Sequence, residues 1–288
     1  MTGEFVSGNH NSGSANIIDL SLPPLSIFEN IKYQFGDILN EKLRNSIKNL
    51  KAEECYADTV SWLPQKEKVL NSLIERFKDA IQFIVGFHGC RPVSVASYYN
   101  NGLLSHNIDL LLNTFQCIFS DIDDFQLYKA IEKYNDSINE QGKLFFLSKP
   151  EDFETTTNHY ILYGSERILG LARKLERQFG YSDQFVSRLR TNGIPTIFKV
   201  HIPAKQITAH EIKSIVKELA TFWAKNTIDP TQQHSIDYCY LAYGDINKKH
   251  ILEHIHPKSI QCPYSHRNYA TKNIECCDAR SKCVSILT

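Results

Sequence analysis

The run IQFIVGFHGCRP, residues 81–92, constrains the fold more than any other stretch of this chain. Residues 81–88 are β-branched and aromatic and read as a buried strand, because such side chains pack well on a pleated surface. The strand ends on His88-Gly89-Cys90-Arg91, a polar and glycine-broken terminus that packing alone does not call for. Two helical stretches precede it. SLPPLSIFENIKYQFGDILNEKLRNSIKNL places Ile27, Ile31, Phe35, Ile38, Leu39, Leu43 and Ile47 at helical spacing, and PQKEKVLNSLIERFKDAI opens on Pro64.

After the strand, residues 92–102 read as a short helix stopped at Asn101-Gly102, with further helices over 108–119 and 125–138. KLFFLS is the next strand. TTTNHYILYGSERILGLARKLERQFG reads as one long helix capped by Thr157 or Asn158 and stopped at Gly180. TIFKVHIP is a strand, and TAHEIKSIVKELATFWAKN a helix with Thr208 as cap and Glu211 at the reciprocal capping-box position. IDYCYLAYGDI is the last clear strand, with HILEHIHP expected beside it. Strands scattered among helices, without alternation or internal repeat, predict an α+β fold with one mixed or antiparallel sheet system. The expected division is a flexible Gly/Ser/Asn-rich leader over 1–16, a helical N-terminal extension over 17–80, a main domain over 81–260, and a Cys-rich tail over 261–288.

The 288 residues balance 32 Lys and Arg against 32 Asp and Glu, so no global field draws the chain to nucleic acid or to an anionic membrane. No stretch approaches the length of a membrane span, and the N-terminus lacks the pattern of a secretory signal. A cytoplasmic location is expected, or delivery into a target cell by a route without that signal. Of the eight cysteines, Cys55, Cys90, Cys117 and Cys239 stand singly in apolar surroundings and read as reduced, buried thiols. Cys262, Cys276, Cys277 and Cys283 crowd the tail, but their spacing has no C-x-x-C pair, and no metal is expected.

At the strand end, Gly89 lets a flat ligand come close because no Cβ intervenes, while the His88 imidazole can meet a ribose hydroxyl. The order strand–His-Gly, short helix ending NNGLL, strand LFFLS, aromatic NHYILYGSE, strand TIFKVHIP, late IDYCYLAYGDI resembles the ADP-ribosyltransferase superfamily in its His-Tyr-acid branch. The resemblance covers residues 81–260 and is one of motif order. It implies a split mixed or antiparallel sheet, NAD as co-substrate, and cleavage of the nicotinamide–ribose bond. ADP-ribose then passes to a protein or another acceptor, as in a toxin or effector. It assigns the ribose to His88, the nicotinamide amide to Gly89 and ring stacking to Tyr163 or Tyr160. The directing acid is Asp237, with Asp245 and Glu253 as fallbacks. The family more often has Glu there, and a shorter carboxylate displaces charge in a positioning-dependent reaction. Arg91 and Arg167 are the candidates for phosphate contact, and on a continuous helix Tyr163, Glu166 and Arg167 share a face. All of this requires His88 and a tyrosine of the long helix to line one crevice.

Four rivals stand beside this reading. His88 with Cys90 has the residue types of a cysteine hydrolase, without a matched orienting residue. His250, His254 and His256 have the residue type of metal ligands but read as solvated. The same fold supports a catalytically inactive protein that binds NAD or a partner, or an RNA 2′-phosphotransferase, which would need a more basic pocket. No Walker-type or Rossmann glycine loop is present.

Overall fold

The computed structural model describes residues 16–105, 107–135, 142–155, 157–182, 184–232 and 234–271. Cys276, Cys277 and Cys283 and most of the leader lie outside them. The elements run β1 (Ile17–Ile18), α1 (Pro24–Phe35), α2 (Glu41–Ile47), α3 (Lys66–Ala80), β2 (Phe83–Cys90), α4 (Ala96–Asn101), α5 (Ile108–Ile118) and α6 (Asp124–Asn135). They continue as β3 (Lys143–Leu147), α7 (Asp152–Thr155), α8 (His159–Tyr163), α9 (Glu166–Phe179), α10 (Gln184–Thr191), β4 (Thr196–Pro203), α11 (Ala209–Ile228), β5 (Cys239–Tyr243), β6 (Ile251–Ile255), β7 (Ser259–Gln261) and β8 (Asn268–Ala270).

The fold is α+β. A mostly antiparallel six-stranded sheet has the order β5-β3-β2-β4-β6, with β1 parallel to the start of β2, and β7-β8 forms a separate hairpin. Eight paired positions join β2 to β4, from Phe83↔Pro203 to Cys90↔Thr196. Only Phe87↔Leu147 joins β2 to β3. HILEHIHP pairs with β4, not with the IDYCYLAYGDI strand as its neighbourhood in sequence suggested. Sequence proximity does not specify sheet neighbours when helices and loops intervene.

Strand alternation sorts side chains onto two faces. Ile84, Gly86, His88 and Cys90 point to one face, into a core shared with α1, α2, α3 and α11. Val85, Phe87 and Gly89 point to the other, covered by α7 to α10 and the β7-β8 hairpin. Ile27, Ile31, Phe35, Leu43, Ile47, Leu70, Leu73 and Phe77, from the first three helices, lie in the first core with the strands. The N-terminal helices therefore cover one face of the sheet.

The long helix expected from Thr157 to Gly180 is two helices. Gly164, at φ +100, ends α8, and Ser165 caps α9 by accepting from the Ile168 N–H. A left-handed backbone suits glycine because no Cβ clashes there. Gly180 does stop α9 as expected, and it does so in the left-handed conformation. Thr208 caps α11 by accepting from Glu211 N, but the Glu211 carboxylate accepts the Tyr238 hydroxyl at 2.8 Å. Cys55 and Cys90 are buried free thiols as expected, whereas Cys117 and Cys239 are exposed. Part of the 261–288 region expected to form a loose tail is packed: Cys262 sits in the second core, and β8 pairs with β7.

Candidate functional site

His88 projects from the end of β2 at the junction of the two parts of the sheet. Its Nδ1 lies 3.0 Å from the Phe145 carbonyl of β3, and its ring is tilted 5.6 Å from that of Phe146. A carbonyl only accepts, so Nδ1 carries the proton and Nε2 presents the lone pair. Burial holds the imidazole below its ordinary pKa, against the opposing pull of the Phe145 carbonyl, and the ring is neutral at pH 7. The imidazole thus spans the strand boundary that only one backbone pair bridges.

The glycine beside it has another role. A Cβ on Gly89 would meet the Phe153 ring at 2.4 Å and Ile161 at 3.1 Å. The bare face that was expected to admit a flat ligand is filled by Phe153 of α7, and the absent side chain is a packing requirement.

Tyr163 does not join His88. It is 3% exposed and lies in the core on the Gly89 face, the opposite face of the sheet from the His88 side chain. Its hydroxyl meets Cys262 Sγ at 3.1 Å, and burial, with that contact, pushes its pKa well up. The shared crevice is not formed: His88 and the α8 segment sit on opposite sides of β2. Tyr160 is half-buried on the same side as Tyr163, with its ring 4.2 Å from that of His159.

The two arginines expected at phosphates are internal. Arg91 spends its guanidinium on four backbone carbonyls: Nε donates to Asn192 at 3.0 Å, Nη1 to Ile161 at 3.1 Å, and Nη2 to Arg190 at 2.6 Å and Gly193 at 3.0 Å. Burial lowers its pKa to about 10. It ties the end of β2 to α8 and to the turn after α10. Arg167 is buried within α9, and the Gly164 break removes the single face it was expected to share with Tyr163 and Glu166. Glu166 instead reaches His159 at 3.0 Å.

Asp237 stands exposed two residues before β5 and is ion-paired with Lys149, just beyond β3. The fallback acids are also engaged: Asp245 accepts from Ser105 N at 2.6 Å, and Glu253 lies 3.8 Å from Lys199. Near Asp237, Leu144, Phe146, Tyr240 and Ala242 turn into the first core, while Phe145 (36% exposed), Cys239 and Tyr243 (41%) turn outward. This apolar shelf was legible in the alternation of KLFFL and CYLAY, but no motif marked it.

The rival centres are not assembled. Cys90 is buried and its thiol is pushed up to about 12 by burial, so it is no ready nucleophile. His254 was expected to be solvated but is fully buried, in register with Phe198 and His88 across β6, β4 and β2, and its Nδ1 lies 2.8 Å from the Tyr99 hydroxyl. His256 is also half-buried, with Nδ1 2.9 Å from the Pro195 carbonyl, and a half-buried His250 lies against Phe83. Among the described residues no cluster of three or more His, Cys, Asp or Glu side chains is arranged to hold a metal ion. No described helix is long and apolar enough to cross a membrane. No protein-family model, no curated protein and no solved structure matches this chain.

Proposed function

We propose that the chain carries an ADP-ribosyltransferase-like split sheet and works by binding a protein partner without turning over NAD, in the cytoplasm of its own or a target cell. The motif order and the single pair between β2 and β3 support the scaffold. The observation that carries the loss of turnover is the placement of His88 and Tyr163 on opposite faces of the sheet. A nicotinamide cannot be held between them, the Gly89 face is filled by Phe153, and Arg91 already gives four of its five N–H donors to backbone carbonyls. The buried arginines weigh equally against an RNA 2′-phosphotransferase.

A second reading has one specific observation in its favour. His88 is half-exposed, neutral, and held in the tautomer that offers Nε2 to a ribose hydroxyl. On this reading the chain is an NAD-dependent ADP-ribosyltransferase or NAD glycohydrolase, with His88 on the ribose, Asp237 as the acid, and a protein as the foremost acceptor.

One experiment separates the two. The full chain is incubated with isotopically labelled NAD, alone and with a cell lysate; free nicotinamide is quantified and proteins are examined by mass spectrometry for added ADP-ribose. Background release and no labelled protein are expected. Turnover that His88→Ala abolishes and Asp237→Ala lowers would replace the first reading with the second.

A further inference from the structure

α5 and α6 are consecutive helices whose seam is an open groove of about 420 Å³, lined by Asp109, Asn113 and Gln116 from α5 and Asp124, Phe125, Leu127 and Tyr128 from α6. The α5 residues recur at i, i+4 and i+7, which places them on one face of that helix. Leu127 is buried at the floor, whereas Phe125 and Tyr128 stand 64% and 59% exposed, with Leu110 on α5 44% exposed. Two exposed aromatic rings one turn apart on α6 form a type of apolar surface that often marks a binding site.

Acidic side chains outnumber basic ones in the segment that builds the groove. The chain as a whole is balanced, yet residues 107–129 hold Asp109, Asp121, Asp123 and Asp124 against Lys129 as the single basic residue. Asp121 is already paired with Arg188, and Asp123 accepts from the Phe125 N–H at the start of α6. Among the described residues, Asp109 and Asp124 are the charged side chains that line the groove. Phe125 also shows what its ring accepts: the Lys129 ammonium lies 4.4 Å from its centroid.

We propose that this groove docks a basic amphipathic segment of a partner protein. Lys or Arg side chains of the partner would meet Asp109 and Asp124, and its apolar face would lie on Phe125 and Tyr128. The proposal deepens the binding reading and rests on it only in that the chain acts through a partner. The NAD measurement tests that reading separately, because a chain that turns over NAD can still bind a basic segment, and an inert chain can fail to.

The test is fluorescence anisotropy on the full chain, titrated into a labelled amphipathic helical peptide of Leu, Lys and Arg, with a counterpart carrying Glu at every basic position. Saturable binding of the basic peptide that weakens with salt is expected, and none of the acidic one. Asp109→Asn with Asp124→Asn should weaken binding by about fivefold, as expected for two exposed charges. Phe125→Ser with Tyr128→Ser should abolish it, and both double variants should keep the melting temperature of the parent because the four side chains are exposed. No binding, equal binding of the acidic peptide, or unaltered affinity in the Asn variant would overturn the proposal. So would a self-association seen by sedimentation that the Ser variant abolishes, which would make a second copy the occupant.

Discussion

Replacing Arg91 by methionine separates a structural arginine from a ligand-binding one. Methionine keeps much of the aliphatic stem but removes the donors that the carbonyls of Ile161, Arg190, Asn192 and Gly193 now share. Charge-assisted hydrogen bonds contribute roughly 1.5–3 kcal/mol each, so four of them sum to roughly 6–12 kcal/mol. Keeping the guanidinium charged while buried opposes this: its pKa is lowered from 12.5 to about 10. At about 1.4 kcal/mol per pKa unit, that costs roughly 3 kcal/mol, which methionine does not incur. Water entering the vacated space satisfies some of the carbonyls, so a net loss near the lower end, about 4 kcal/mol, is expected. Urea unfolding followed by circular dichroism measures it. With a slope of about 3 kcal/mol/M for a chain of this size, the midpoint should fall by about 1.3 M. Arg91→Lys should fall between the two, because a single ammonium cannot reproduce the planar fork. A midpoint shift under about 0.3 M in Arg91→Met, together with a loss of NAD affinity relative to the parent, would refute the staple and return Arg91 to a phosphate.

Gly89→Ala should destabilise the fold by about 2 kcal/mol, because its Cβ lands against the Phe153 ring; Phe153→Leu in the same chain should recover part of the loss, and a neutral Gly89→Ala would show an open face there. Acidification should also weaken the fold. Burial lowers the pKa of His88, His159, His201, His234, His250 and His256 in the folded chain, so the unfolded chain binds more protons as pH falls below about 6.5. The stability these rings contribute is fully present above that pH and is lost as pH falls through their folded values. Urea midpoints measured between pH 7.5 and pH 6 should decline, and a rise across that window would contradict the buried neutral state.

The α+β class, the strand Thr196–Pro203 and the stop at Gly180 could be read from the chain because alternation, Pro203 and a glycine after a periodic segment act locally. The break at Gly164 was legible too: glycine followed by serine is a helix end followed by a helix cap, and the apolar periodicity of ILGLARKL concealed it. The failure at the site has a different origin. Strand alternation alone puts the His88 and Gly89 side chains on opposite faces, but which helix covers which face is decided by contacts far apart in sequence. The carbonyls that claim Arg91 belong to Ile161 and to Arg190, Asn192 and Gly193, and nothing near Arg91 announces them.

The pairing of the main sheet has a consequence for how the molecule comes together. None of its neighbours is a hairpin: β2 must wait for β3 and β4, β3 for β5, and even the nearest partners, Val200 and Ile251, have α11 and β5 between them. Each strand contact closes a long loop before it gains anything, so the chain should fold slowly, with helices present well before the sheet. A growing polypeptide that ends at β4 would already pair β2 with β4, yet would leave the outer edges of β3 and β4 without β5 and β6. Those open edges would be exposed to misassembly until the last strands emerge.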